Sequence, residues 1–323
     1  MSQSLPTVMR AFVIPAGAAV PREDEHPVPA PGADEVLVRV RAGSIANADL
    51  SMSTVERVAG YEFAGEVAAV GENADAALIG TRVMGLAPGA FAEYVVAHRL
   101  HLLPVPEALD FAHASVLPMG LATEYGALRG GSLAAGDTVL ITAATSGMGL
   151  LGIQSARALG AAAVIGTTRT EARRDVLLEA GADEVVITDD EDLAEAVHGI
   201  TGGRGADLVL DHVAGGMLGQ AVQAARPGGH VVSVGRLLGP AAEIDLFALA
   251  KRGVTLTSVS YGFTPPSAIG DLLAAVAVDL LPAVAEGRIA PPIDSIRPVS
   301  DLAAALDRVR SYENAGRMVV TVD

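Results

Sequence analysis

Apolar and polar positions follow two different patterns along the chain. Up to about residue 117 the apolar residues come in short runs broken by Gly, Pro and Asp, which predicts strands over 10–14, 35–41, 62–70, 82–86 and 91–96. That describes a β-rich, irregular domain. From about 137 to 260, continuous apolar runs over 138–142, 163–167, 184–187, 207–210, 230–234 and 254–258 alternate with helical periodicity over 150–159, 171–180, 192–200 and 217–225. Short, wholly apolar strands separated by helices predict a parallel sheet covered on both faces. Beyond it, the pattern predicts a helix over 266–286 closing at Gly287, a helix over 301–312, and a terminal strand over 318–322. A terminal strand needs a sheet to join, and the first domain's sheet is the natural host.

Composition narrows the chemistry. Hydrophobic residues make up 50% of the chain, yet the most apolar helical stretch, 272–284, contains Asp279 and Pro282, so no membrane span is expected. The first ten residues lack the apolar core of a secretory signal, and a soluble, cytoplasmic protein is the expectation. With 22 Lys and Arg against 38 Asp and Glu, the formal net charge of −16 disfavours nucleic acid and anionic lipid as partners. The absence of cysteine removes disulfides, thiolate zinc sites and thiol nucleophiles. Chemistry then falls to oxygen, imidazole or a cofactor.

The strongest motif is Gly147-Met-Gly149-Leu-Leu-Gly152, placed between a buried strand and a helix. In that setting the spacing predicts a dinucleotide site: Gly147 for a tight turn, Gly149 for close approach of a pyrophosphate, and Gly152 for packing of helix on sheet. Ser146, Gly147, Met148 and Gly149 are the expected contacts at the helix N-terminus, where unpaired amides favour an anion. About 20 residues further on, a carboxylate would select NAD. Here the strand ends in Thr168, Arg169 and Thr170, with Arg173 following, a set suited to a 2′-phosphate, so NADPH is the expected cofactor. Val213 and Gly235 follow two later strands and belong beside the cofactor.

With these features in place the chain resembles the medium-chain dehydrogenase/reductase superfamily over its full length. The likeness is strongest to its zinc-free quinone oxidoreductase and enoyl reductase branch. It rests further on Gly60-Tyr-Glu-Phe-Ala-Gly65, Gly80-Thr-Arg-Val83, Gly89-Ala-Phe-Ala-Glu93-Tyr, the segment from Leu117-Pro to Leu128, and Gly316-Arg-Met-Val. The resemblance implies a GroES-like catalytic domain over 1–120 and 262–323 and a Rossmann NADPH-binding domain over 121–261. It also implies a homodimer formed through the strand near 254–260.

What the resemblance implies for the site can be followed residue by residue. Ala46 stands where zinc-dependent relatives carry a Cys ligand and Tyr61 where they carry a His, so no metal site is expected; His98 and His101 lack a third ligand. Glu62 is then structural. The implied reaction is hydride transfer from NADPH to a quinone or an α,β-unsaturated carbonyl, the small-molecule partner. Tyr61 is the candidate acid or oxyanion donor, Asn47 a candidate substrate contact, and Thr123 a residue that positions the cofactor. Segment 50–59 is short and lacks a tyrosine that many enoyl reductases carry; another tyrosine, after the third Rossmann strand, is replaced around Thr188 and Asp189. The alternative is a relative that keeps the cofactor fold for a redox-neutral, binding or sensor role.

Overall fold

Six parallel strands account for the central pattern: β1 (Thr138–Ile141), β2 (Ala163–Thr168), β3 (Glu184–Ile187), β4 (Ala206–Asp211), β5 (Ala225–Ser233) and β6 (Thr255–Ser258). In space their order is β3-β2-β1-β4-β5-β6, so the order reverses at β1, the place where open α/β sheets bind ligands. The unbroken apolar runs have a direct cause. Val139 and Ile141 face one core, with Ile153, Leu177 and Leu210, while Leu140 faces another, with Ile165, Val209 and Val222. Helices cover both faces, so successive residues of β1 are all buried.

The computed structural model describes residues 5–50, 54–262 and 264–322. The chain divides into two compact units, one of Met1–Met119, Pro265–Ala277 and Pro291–Asp323, the other of Gly120–Thr264 and Val278–Ala290. Segment Val278–Ala290 therefore groups with the Rossmann unit, whereas 262–323 was expected to return whole to the first domain. Its bonds give the reason. Tyr125 Oη and Arg129 Nη2 each donate to Asp279 at 2.8 Å, and Gln154 exchanges two hydrogen bonds with the backbone of Ala290. The single helix expected over 266–286 is also two, Pro266–Asp279 and Leu281–Ala285, because Pro282 has no N–H to continue the ladder. A helix over Leu117–Gly130, here α1, was not anticipated from its alanine- and glycine-rich sequence.

In the first unit, strand Glu35–Ile45 is the centre of a seven-stranded sheet, pairing with Glu62–Val70, Tyr94–His98 and the terminal strand Arg317–Thr321. The terminal strand thus joins the expected sheet. The strand anticipated over 91–96 lies at Tyr94–His98, and Ala92 makes only an isolated bridge to Ala11. Strand Arg22–Pro27 escaped prediction because its sequence, REDEHP, is mostly exposed and has no apolar alternation. Among the described residues no helix is long and apolar enough to cross a membrane.

Candidate dinucleotide and substrate sites

The turn after β1 is held by its neighbour strand. Ala143 N–H donates to Thr167 Oγ1 at 3.1 Å and Ala144 N–H to the Thr167 carbonyl at 3.0 Å. The left-handed residue of this turn is Ala143, with φ 47°; Gly147, expected to make the turn, is instead the first residue of helix α2 (Gly147–Ala158). Ser146 caps that helix, its Oγ accepting from Gly149 N–H at 3.0 Å. Gly149 is required by contact, because a Cβ there would lie 2.5 Å from Ala144 Cα. Gly152 makes room for a different group than expected: its Cβ would lie 2.6 Å from Glu124 Oε2, a carboxylate of α1.

At the end of β2, Thr168 is buried and its carbonyl accepts from Thr188 N–H at 2.9 Å, while Arg169 and Thr170 are exposed and Arg173 is half-buried. Arg174 is turned away, bonded to Glu171 and to the Val185 carbonyl. Across β1, the buried Asp211 shapes the loop after β4. Its carboxylate accepts from Thr142 Oγ1 at 2.9 Å and from the amides of Val213 and Ala214 at 3.1 and 3.0 Å. The next loop closes on it, since the amides of Val234 and Gly235 donate to the Asp211 carbonyl, and a Cβ at Gly235 would lie 2.2 Å from the His212 oxygen. The structure therefore collects Ser146, Gly147, Met148, Gly149, Thr168, Arg169, Thr170, Arg173, Val213 and Gly235 along one edge of the sheet. Thr123 is half-buried on α1.

These residues fit a dinucleotide phosphate. A serine-capped helix N-terminus follows the strand at which the order reverses, and the end of β2 presents a guanidinium and hydroxyls without a carboxylate. Sequence reading missed Glu124 and His212, which form a buried pair just beneath this edge. The available signal was a carboxylate inside an otherwise apolar run and a histidine directly after a strand-ending Asp.

The candidate substrate residues lie in the first unit. Asp49 brings them together: its carboxylate accepts from Ala46 N–H at 2.8 Å and Gly60 N–H at 3.1 Å, clamping the turn that bears Asn47 to the residue before Tyr61. Burial pushes the Asp49 carboxyl up to about 6, although the amide bonds and the charges of Arg317 and Arg57 pull the other way. Asn47 is exposed and Tyr61 half-buried, with the Arg57 guanidinium 5.3 Å from the Tyr61 ring centre. Ala46 is buried and offers no ligand atom. Glu62 is wholly buried and committed elsewhere, accepting from Ser44 Oγ at 2.6 Å, from Met119 N–H at 2.8 Å and from Arg317. Among the described residues no three His, Asp or Glu side chains gather to hold a metal ion.

Comparison with known proteins agrees with this architecture. Residues 32–107 match the alcohol dehydrogenase GroES-like domain family and residues 147–277 the zinc-binding dehydrogenase family. The chain is 29% identical over 306 residues to a mycocerosic acid synthase-like polyketide synthase of Mycobacterium tuberculosis, covering 90% of this chain and 14% of that protein. It is 28% identical over 306 residues to highly-reducing polyketide synthase 1 of Aureobasidium melanogenum, covering 92% of this chain and again 14% of the relative. The chain therefore spans about a seventh of the length of these curated relatives. Among solved structures, a mycobacterial quinone oxidoreductase superposes with TM-score 0.85 at 26% identity, over 97% of this chain and 100% of that one. A mycobacterial protein complexed with NADPH gives TM-score 0.87 at 26% identity with the same coverage. The chain belongs to the medium-chain dehydrogenase/reductase superfamily, in its zinc-free branch, and its class is that of an oxidoreductase.

Proposed function

We propose that the protein is a metal-independent, NADPH-dependent reductase of conjugated carbonyl compounds, either enones and enoyl esters or quinones. The observation that carries this reading is the Asp49 clamp, which ties the turn bearing Asn47 to the residue before Tyr61, the two candidate hydrogen-bond donors of the first unit. Bound NADPH supplies the hydride. Arg169, with Thr168, Thr170 and Arg173, would hold its 2′-phosphate, the first turn of α2 would take the pyrophosphate, and Val213, Gly235 and Thr123 would flank the nicotinamide end. Tyr61 Oη donates a hydrogen bond, then its proton, to the acceptor oxygen that gains charge, and Asn47 Nδ2 supplies a second bond.

Support for the acceptor class comes from two sides. One relative is named a highly-reducing polyketide synthase and one structural neighbour a quinone oxidoreductase, and both acceptors take hydride at a carbon conjugated to a carbonyl. A homodimer through β6, the edge strand of its sheet, completes the proposal. The test is anaerobic NADPH oxidation, with chelator present, against an ortho-quinone, a cyclic enone, an enoyl thioester and a simple aldehyde. Turnover is expected on the conjugated acceptors and not on the aldehyde. Tight NADPH binding with no turnover on any acceptor overturns the reductase reading in favour of a redox-neutral or sensor role.

A further inference from the structure

Beneath the nucleotide edge of the Rossmann unit lies a pair of ionisable side chains that the proposed reaction does not use. His212 and Glu124, 88 residues apart, are both buried, and His212 Nε2 lies 2.9 Å from Glu124 Oε1. The other ring nitrogen, Nδ1, lies 3.1 Å from the Thr142 carbonyl, which only accepts, so Nδ1 carries a proton. A proton must then also lie between Nε2 and the carboxylate, on either side. Among the described residues Glu124 Oε2 has no hydrogen-bond partner, and it rests against Gly152, whose missing side chain makes room for it. A buried, half-satisfied carboxylate is costly, so a fold that retains one uses its satisfied half.

What that half holds is the loop after β4. The His212 amide donates to Thr142 Oγ1 at 2.9 Å, the same hydroxyl that donates to Asp211, and Asp211 in turn fixes the amides of Val213 and Ala214. Backbone and ring of His212 thus lock residues 211–215 to the end of β1 and to α1. Ala214 and Gly215 both take positive φ in this loop, 60° and 54°, a shape that needs external support at the alanine. Burial is the largest single influence and disfavours the His212 cation, but the Glu124 carboxylate, Asp211 and the Thr142 carbonyl together outweigh it and raise the imidazole's proton affinity. The other titratable groups acting on the pair are Asp211, already saturated, and Tyr261.

We propose that Glu124 is a positioning residue for the cofactor: through the proton it shares with His212 it holds the 211–215 loop in the shape that seats the nicotinamide half of NADPH. The inference rests on the cofactor reading above. The choice of half follows from topology, since Arg169 and Thr170 end β2 on one side of β1 while the loop follows β4 on the other.

The test compares two probes, NADPH and adenosine 2′,5′-bisphosphate, which reaches only the β2 side. Binding of each is titrated to the full-length wild type and to Glu124→Ala, His212→Ala and Glu124→Gln, with nitrogen-15 spectra of the histidine ring. Glu124→Ala and His212→Ala are expected to weaken NADPH about tenfold and leave the bisphosphate unchanged. Glu124→Gln is expected to keep NADPH affinity, because its amide N–H can donate to the Nε2 of a neutral ring, and its spectrum should show that neutral ring with Nε2 unprotonated. NADPH affinity unchanged in Glu124→Ala overturns the inference, as does equal loss of both probes. If Glu124→Ala does not fold, His212→Ala decides, and NADPH affinity unchanged in that variant overturns the inference. A wild type that binds the bisphosphate but not NADPH contradicts the seating role, and one that binds neither overturns the cofactor reading itself.

Discussion

Arg317, on the terminal strand, forms a buried ion pair with Glu62, 255 residues earlier in the chain. Ser44 bridges the two, accepting from Arg317 Nη2 at 2.6 Å and donating to Glu62 at 2.6 Å. Burial raises the Glu62 carboxyl, and the Arg317 charge is the largest influence holding it down. Removing only the cation strands the carboxylate. Arg317→Met is therefore expected to cost about 3–5 kcal/mol in urea unfolding, and adding Glu62→Gln should recover most of that loss. Equal stability of wild type and the single variant contradicts this account of Glu62 as a structural residue.

Asp49 gives a pH dependence whose sign is fixed. Its folded carboxyl titrates at about 6 against 3.8 unperturbed, so the folded state holds this proton more tightly than the unfolded chain. The group's contribution to stability is full below the unfolded value and is lost as pH rises through about 6. Between about pH 4 and 7 the wild type should lose up to about 3 kcal/mol relative to Asp49→Asn in urea unfolding. The broken amide bond in the variant is a constant offset. A difference independent of pH in that window contradicts the buried carboxyl.

Arg169 is the residue on which cofactor choice turns. Arg169→Ala removes the guanidinium offered to a 2′-phosphate, and KM for NADPH is expected to rise about tenfold to a hundredfold while NADH is unaffected. Steady-state kinetics with both cofactors on one acceptor checks it. Parallel loss with NADPH and NADH would move the selectivity elsewhere.

Much of the Rossmann unit was legible because burial on both faces makes each strand an unbroken apolar run, as in Thr138–Ile141. The terminal strand was legible as an unpaired element, and it pairs with Glu35–Ile45. Features fixed by tertiary contact were not. Arg22–Pro27 is a polar edge strand with no periodic signal, and the glycine motif conceals that Ala143 turns the chain and that Gly152 shelters a carboxylate. The same holds for the sites. Arg169, Thr170 and the capped helix could be read from spacing, whereas Asp49 acts through amides of residues 46 and 60, and Glu124 through a histidine 88 positions away.

Tyr61→Phe separates donation from binding. Loss of the phenol is expected to lower kcat about a hundredfold with little change in KM for NADPH, and Asn47→Ala should act mainly on KM for the acceptor. A Tyr61→Phe enzyme with wild-type kcat would reduce Tyr61 to a filler of the space beside Arg57.

The central claim is hydride transfer from NADPH to a carbon conjugated with a carbonyl. NADPH carrying deuterium at the reactive nicotinamide carbon, incubated anaerobically with the protein, a cyclic enone and a chelator, tests it in one step by mass spectrometry and NMR of the product. The account predicts a saturated ketone with one deuterium on its β-carbon. A product without deuterium there, or deuterium on the carbonyl carbon as in alcohol formation, contradicts it.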